Sequence, residues 1–138
     1  MSYAGDITPQ QAWKLLNDNP DAVLVDVRTD AEWRFVGVPD LSGLGREPVF
    51  IEWNTSDGRP NERFADELRE RLPAAQAERP VIFLCRSGQR SIGAANAATQ
   101  IGITPAYNVL DGFEGHLDAQ GHRGQSGWRA MGLPWRQG

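Results

Sequence analysis

The 138-residue sequence has little cysteine, little histidine and no long apolar run. Its single cysteine, Cys85, cannot form a disulfide within the chain. A domain of this length needs none, because folding buries roughly two-thirds of the surface that the unfolded chain exposes. No stretch reaches the apolar length of a membrane span, and the opening residues show no secretory signal. We therefore expect one domain over residues 1–138, with its core at about 7–134, in the reducing cytoplasm and without membrane contact.

The chain has slightly fewer positively charged than negatively charged residues. Fourteen Lys and Arg residues against eighteen Asp and Glu residues give a formal net charge of -4, which argues against a nucleic-acid-binding surface. The two histidines, His116 and His122, lie in a glycine-rich region without a second cysteine, so they make a poor zinc site. We expect both to be surface residues and expect no metal site.

Apolar strands alternate with amphipathic helices along the chain. Compact apolar runs that are typical of buried parallel strands occur at residues 23–27, 49–53, 80–84 and 106–110. A helix is predicted from Thr8, which with Gln11 forms a capping box, to Asn19. Further helices are predicted at residues 30–35, 61–72 (closed by Pro73) and 91–101. This alternation predicts an α/β fold with a mainly parallel sheet covered on both faces.

The C-terminal part of the chain is rich in glycine, and residues 121–138 carry arginines but no acidic residue. We expect this tail to be a loop and a terminal helix. Its apolar side chains, Trp128, Leu133 and Trp135, are expected to pack onto the body of the domain.

The most informative segment surrounds Cys85, which follows the strand predicted at 80–84 and precedes a helix. Open α/β sheets bind ligands beyond the carboxyl ends of their strands, and helix N-termini offer unpaired N–H groups to anions. An ordinary thiol is only a few per cent thiolate at neutral pH, but a helix N-terminus and the nearby Arg86 and Arg90 would stabilise the thiolate. A lone cysteine is more often a small buried hydrophobe, but arginines, serines and a glycine beside it favour an anion-binding loop. Cys85 is therefore predicted to be a nucleophile.

Two segments of the sequence resemble the single-domain rhodaneses, a family of sulfurtransferases. They are Asp26-Val27-Arg28 followed by Glu32-Trp33, and the run Cys85-Arg86-Ser87-Gly88-Gln89-Arg90-Ser91. The resemblance covers about residues 7–134 and implies a rhodanese-like α/β fold, with a five-stranded mainly parallel sheet flanked by helices on both faces. It implies that Cys85 is the catalytic nucleophile and that no metal or organic cofactor is needed. The residues implied to bind substrate are Arg86, Ser87, Gly88, Gln89, Arg90 and Ser91.

In the enzymes that the chain resembles, the thiolate takes a sulfane sulfur from a small anionic donor such as thiosulfate and becomes a persulfide. It then passes that sulfur to cyanide or to a thiol, including a protein thiol. The resemblance implies that Asp26 and Arg28 brace the sheet edge near the loop. We assign supporting roles to Asp26, Arg28 and Glu32, and the spacing of Arg28 and Glu32 predicts an ion pair between them.

Two other functions remain open, a persulfide carrier or interaction module without its own turnover, and a cysteine-dependent phosphatase. Phosphatases of similar fold place five residues between their Cys and Arg, whereas four separate Cys85 from Arg90, and Ser91 stands at the phosphatase position. We therefore rank the phosphatase below the sulfurtransferase. A phosphatase also needs a general acid. The candidates at or after strand ends are Asp26, Asp111 and Glu114. Residues 115–126 form an insertion relative to the family pattern, which we expect to border the mouth of the site.

Overall fold

The computed structural model describes residues 3–72 and 79–137, and in this part of the chain strands and helices alternate. The elements in chain order are β1 (Gly5–Ile7), α1 (Pro9–Asp18), β2 (Val23–Asp26), α2 (Asp30–Phe35), β3 (Val38–Pro39), β4 (Val49–Phe50), α3 (Phe64–Arg71), β5 (Val81–Leu84), α4 (Arg90–Gln100), β6 (Ala106–Val109) and β7 (Trp135–Arg136). Five of the strands form a parallel sheet of order β1-β6-β5-β2-β4. This confirms the predicted α/β fold.

The core lies on both faces of this sheet, because successive side chains of a strand point to opposite faces. On one face, Val25 of β2 and Phe83 of β5 pack in a cluster with residues of α3 and α4. On the other face, Leu24 and Ile82 pack with residues of α1 and with Trp128. Every residue of β2 and β5 is buried, as expected for central parallel strands.

The sheet topology determines where the candidate site lies. β2 and β5 are neighbours, and Asp26 at the end of β2 is in register with Leu84 at the end of β5. Since the strands are parallel, their carboxyl ends meet at one edge of the sheet. Residues after β2 therefore lie beside the loop that begins at Cys85.

Two helices begin with capping boxes. The Thr8 hydroxyl accepts from the Gln11 amide in α1, and the Thr29 hydroxyl accepts from the Glu32 amide in α2. In each box the side chain of the third helical residue also accepts from the amide of the capping threonine. The second box holds Glu32 in the first turn of α2, at the sheet edge that carries the site.

The structure differs from the sequence-based prediction in the short elements. β1 was not predicted, because three partly exposed residues at a sheet edge show no clear apolar pattern. The strand predicted at 49–53 is only Val49–Phe50, and the helix predicted from residue 61 begins at Phe64. Pro73, predicted to close that helix, lies outside the described residues.

The predicted terminal helix is wrong. Residues 127–132 form turns bounded by Gly127 and Gly132, whose positive φ values of 96° and 76° interrupt a right-handed helix. The chain then pairs as β7, antiparallel to β3. The expected packing of the tail is confirmed: Trp128 is fully buried, and Leu133 packs against the same core cluster. Trp135 is 40% exposed, but its ring lies edge-on to the buried Phe113 ring at 6.0 Å. No helix in the described ranges is long and apolar enough to cross a membrane.

Candidate active site

Cys85 is the first residue after β5 and is buried, with 1% of its surface exposed. The loop folds back over its sulfur, because the Gly88 amide donates a hydrogen bond of 3.1 Å to Sγ. The Ser91 hydroxyl, in the first turn of α4, lies 3.1 Å from the same Sγ atom. Two polar groups of the loop therefore face the sulfur at the carboxyl edge of the sheet.

Glycine is required at position 88. Its φ is 96°, in the left-handed region, and a Cβ there would lie 3.1 Å from the Asp111 nitrogen and 3.3 Å from the Val109 oxygen. A side chain would push the loop away from the strand end, and with it the amide that contacts the sulfur. The structure thus explains the glycine that the sequence analysis placed in the binding loop.

The segment that follows β6 supports the loop from behind. The Phe113 amide donates to the Cys85 carbonyl at 2.8 Å, and the Glu114 amide donates to the Arg86 carbonyl at 2.9 Å. Gly112, at φ 55°, lies so close that a Cβ would be 2.6 Å from the Arg86 carbonyl carbon. The sequence analysis named Asp111 and Glu114 of this segment only as candidate general acids, and it did not identify the support that the backbone of this segment gives to the loop.

Arg90 and Glu32 form a two-pronged ion pair between α4 and α2. Nη1 and Nη2 of Arg90 donate to the two carboxylate oxygens of Glu32 at 2.9 and 3.0 Å. Burial alone would raise the pKa of Glu32, but the hydrogen bonds from Arg90 and Thr29 outweigh it and hold that pKa below its usual range. Glu32 is therefore a fixed negative charge beside the loop.

The predicted ion pair between Arg28 and Glu32 is wrong. Arg28 instead binds Asp26, with Nε 3.0 Å from Oδ1 and Nη2 2.7 Å from Oδ2, and both side chains are fully buried. Nη2 of Arg28 also donates to the Gly37 carbonyl at 2.8 Å, and its guanidinium lies 4.2 Å from the centre of the Phe113 ring. Arg28 lies before the first residue of α2, so the spacing of residues within a helix does not apply to it. Asp26, Gly37 and Phe113 hold its side chain in the core instead.

The other predicted loop residues lie near the sulfur in sequence but differ in exposure. Arg86 and Gln89 are exposed, and Ser87 is half-buried. Arg90 is half-buried and has both terminal nitrogens on Glu32. Substrate binding by these side chains stays a prediction.

Asn108 is a site residue that the sequence analysis missed. It lies in β6, is fully buried, and accepts a hydrogen bond from the Ser91 hydroxyl through Oδ1. Its Nδ2 donates to Asp6 at 3.0 Å and to the Gly88 carbonyl at 3.3 Å. An amide in the middle of an otherwise apolar strand was the available signal, since a buried polar side chain needs partners.

The histidines lie away from any cluster of ligands. His116 and His122 are exposed, as expected, and His116 Nδ1 lies 3.0 Å from Asp111 Oδ1. Among residues 3–72 and 79–137, no group of three or more His, Cys, Asp and Glu side chains is arranged to hold a metal.

The 115–126 insertion contains an internal hydrogen bond, which the Arg123 guanidinium donates to the Gly115 carbonyl at 2.6 Å. Its position at the mouth of the site stays a prediction.

The fold places a buried cysteine in a loop beyond β5, the central strand of a parallel sheet. A family model described as the STR4 middle domain, which is a rhodanese-like family, matches residues 4–138. The chain belongs to this rhodanese-like family.

Three similar proteins extend this assignment. The crystal structure of Rv0390 from M. tuberculosis has a TM-score of 0.93 and 75% sequence identity, over 99% of this chain and 100% of that chain. The uncharacterized protein RC0915 of Rickettsia conorii is 36% identical over 131 residues, which are 95% of this chain and 96% of that protein. The thiosulfate sulfurtransferase GlpE of Glaesserella parasuis is 34% identical over 115 residues, covering 83% and 88% respectively. The rhodanese-like fold and the similarity to GlpE support a family of the sulfurtransferase type.

Proposed function

We propose that this chain is a sulfurtransferase that moves a sulfane sulfur from a small anionic donor such as thiosulfate to cyanide or a thiol acceptor. The intermediate is a persulfide on Cys85. One observation carries the proposal: Sγ of Cys85 is seated in a loop at the carboxyl edge of the sheet, 3.1 Å from the Gly88 amide and 3.1 Å from the Ser91 hydroxyl. The similarity to a thiosulfate sulfurtransferase supports it.

The chemistry needs two displacements at sulfur. The Cys85 thiolate attacks the outer sulfur of thiosulfate, a new S–S bond forms, and sulfite leaves with the electron pair of the broken bond. The acceptor then attacks the terminal sulfur of the persulfide, and Cys85 leaves as the thiolate. Cyanide becomes thiocyanate and a thiol becomes a persulfide, so no outside oxidant or reductant is required.

The geometry favours sulfur transfer over phosphate-ester hydrolysis. Arg90 stands one residue before the position of the phosphatase arginine, and both its terminal nitrogens are bound by Glu32. Among the candidate general acids, Asp26 is fully buried and bound by Arg28. The loop is also one residue shorter than the phosphatase pattern.

The test is the intact mass of the reduced protein after exposure to thiosulfate, beside Cys85→Ala. Because Cys85 is the only cysteine, a gain of one sulfur atom identifies its position. We expect the gain in the original protein alone, and expect cyanide to remove it as thiocyanate. A gain without turnover by any acceptor would favour the carrier. No gain with thiosulfate or 3-mercaptopyruvate, together with Cys85-dependent hydrolysis of a phosphate ester, would overturn the proposal in favour of the phosphatase.

A further inference from the structure

A buried chain of hydrogen bonds runs from the candidate nucleophile into the sheet. Sγ of Cys85 lies 3.1 Å from the Ser91 hydroxyl, which donates to Oδ1 of Asn108. Nδ2 of Asn108 donates in turn to Asp6 at 3.0 Å and to the Gly88 carbonyl at 3.3 Å. At most 1% of the surface of Cys85, Ser91 and Asn108 is exposed, so solvent does not replace these contacts.

The orientation of the Asn108 amide follows from its partners. Asp6 and the Gly88 carbonyl are both acceptors, so the NH2 group of Asn108 must face them and the oxygen must face Ser91. An amide oxygen only accepts, so the single hydroxyl proton of Ser91 points at Asn108. In this arrangement Ser91 presents lone pairs to the sulfur of Cys85.

This proton can stabilise only one acceptor at a time. When Cys85 carries its proton, S–H donates to Ser91 and every partner is satisfied. When Cys85 is a thiolate, a hydrogen bond from Ser91 requires the hydroxyl to turn away from Asn108, which leaves a buried amide oxygen unpaired. The Gly88 amide is the donor to the sulfur that is independent of this competition.

We propose that Asn108 is a positioning residue: it competes with Cys85 for the Ser91 proton and so sets the fraction of Cys85 present as thiolate. This rests on the proposed function only in taking the thiolate as the reacting form. The charged groups on the elements around Cys85 are the same in all the variants below: Arg86, Arg90, Glu32, Asp26, Arg28, Asp6, Asp111 and Glu114.

The test is the rate of alkylation of Cys85 by iodoacetamide as a function of pH, read from the intact mass. Asn108→Leu removes the competing acceptor, and with it the NH2 donor to Asp6 and Gly88, while it keeps the number and branching of the side-chain heavy atoms. We expect alkylation at neutral pH to be about fivefold faster than in the original protein, and the pH profile to move to lower pH. In a Ser91→Ala background the same substitution is expected to change the rate much less, because the shared proton is absent and only the contacts of the Asn108 NH2 group are lost. Circular dichroism confirms which variants are folded.

Three outcomes overturn the proposal: an unchanged profile in folded Asn108→Leu, slower alkylation, or an equal effect in the Ser91→Ala background. If Asn108→Leu does not fold, the side-chain NH2 signals of Asn108 are followed by NMR in the original protein as the pH is raised. We expect them to shift as Cys85 ionises and to stay constant in Cys85→Ala, and a constant signal in both contradicts the proposal. Alkylation needs no sulfur donor, so its result stands apart from the persulfide test.

Discussion

The carboxylate of Glu32 holds the guanidinium of Arg90 through parallel hydrogen bonds of 2.9 and 3.0 Å across 58 positions of sequence. Glu32 is itself held by the capping box of α2, and Arg90 is the first residue of α4. The pair therefore joins the segment after β2 to the loop that carries Cys85. Only 18% of the Glu32 side chain and 24% of the Arg90 side chain are exposed.

This pair predicts a pH-dependent contribution to stability. Because the pKa of Glu32 is lowered in the folded protein, the unfolded chain binds its proton more tightly. The contribution is present above the ordinary glutamate value of about 4.3 and is lost as pH falls through the lower folded value. We expect Glu32→Gln, which keeps the capping box, to lower the free energy of unfolding by about 1–2 kcal/mol at neutral pH. Urea denaturation should show this difference shrinking as the pH falls below about 4.

Glu70→Gln is the matched control, because Glu70 pairs with Arg63 at the surface with both side chains 61% exposed. We expect less than about 0.5 kcal/mol for that change. A Glu32→Gln difference that stays the same from neutral pH to about pH 3 would contradict the assignment.

We expect a larger loss of stability when the buried ion pair of Arg28 and Asp26 is broken than when the Glu32–Arg90 pair is broken. Arg28→Met removes the cation and leaves a fully buried carboxylate without its partner, so we expect a loss of about 3–5 kcal/mol in the free energy of unfolding. Lys14→Met breaks the exposed pair with Asp18 and serves as the control, with an expected cost of less than about 0.5 kcal/mol. Chemical denaturation measures both. We expect the double variant, Arg28→Met with Asp26→Leu, to recover most of the free energy of unfolding that Arg28→Met loses. Equal losses in the single and double variants would show that the unpaired charge is not the cause.

The close approach of Gly112 to the Arg86 carbonyl leads us to predict that the segment after β6 holds the loop in the position that Cys85 needs to react. In Gly112→Ala the new Cβ would lie 2.6 and 2.7 Å from the carbonyl carbon and oxygen of Arg86, so the backbone of the loop must move. We expect a loss of more than about 2 kcal/mol of stability and at least a tenfold slower persulfide formation with thiosulfate.

The control for this change is Gly121→Ala, because Gly121 also has a positive φ, of 79°, but a Cβ there meets no atom within 4 Å. We expect Gly121→Ala to cost only the free energy of a left-handed backbone conformation at alanine, about 1–2 kcal/mol. The rate of persulfide formation at Cys85 is expected to stay unchanged. Similar rates of persulfide formation in the two variants would refute the role given to Gly112.

Much of the candidate site was predictable from local sequence. The placement of Cys85 between an apolar strand and a helix start follows from neighbouring residues, and the two segments that resemble rhodaneses pointed to the family. The capping threonine of α1 was also readable, because a capping box depends on residues three positions apart. The edge strand β1 was not predictable from local sequence, because it pairs with β6, which lies about a hundred residues later in the chain.

The long-range partners of charged and polar side chains were decided by the tertiary structure. Helical spacing suggested that Arg28 binds Glu32, but Arg28 binds Asp26, which lies two residues before it. The pairing of β2 with β5 places the loop after β5 beside α2, where Arg90 binds Glu32. The same is true of Asn108, whose partners come from two distant segments, Asp6 in β1 and the run that holds Gly88 and Ser91. The sequence by itself indicated the main helices and strands and the family, and it predicted Cys85 as the nucleophile, because these inferences depend on short-range patterns. Only the folded chain determined which groups surround the sulfur, because strand order and register bring distant residues within hydrogen-bonding distance.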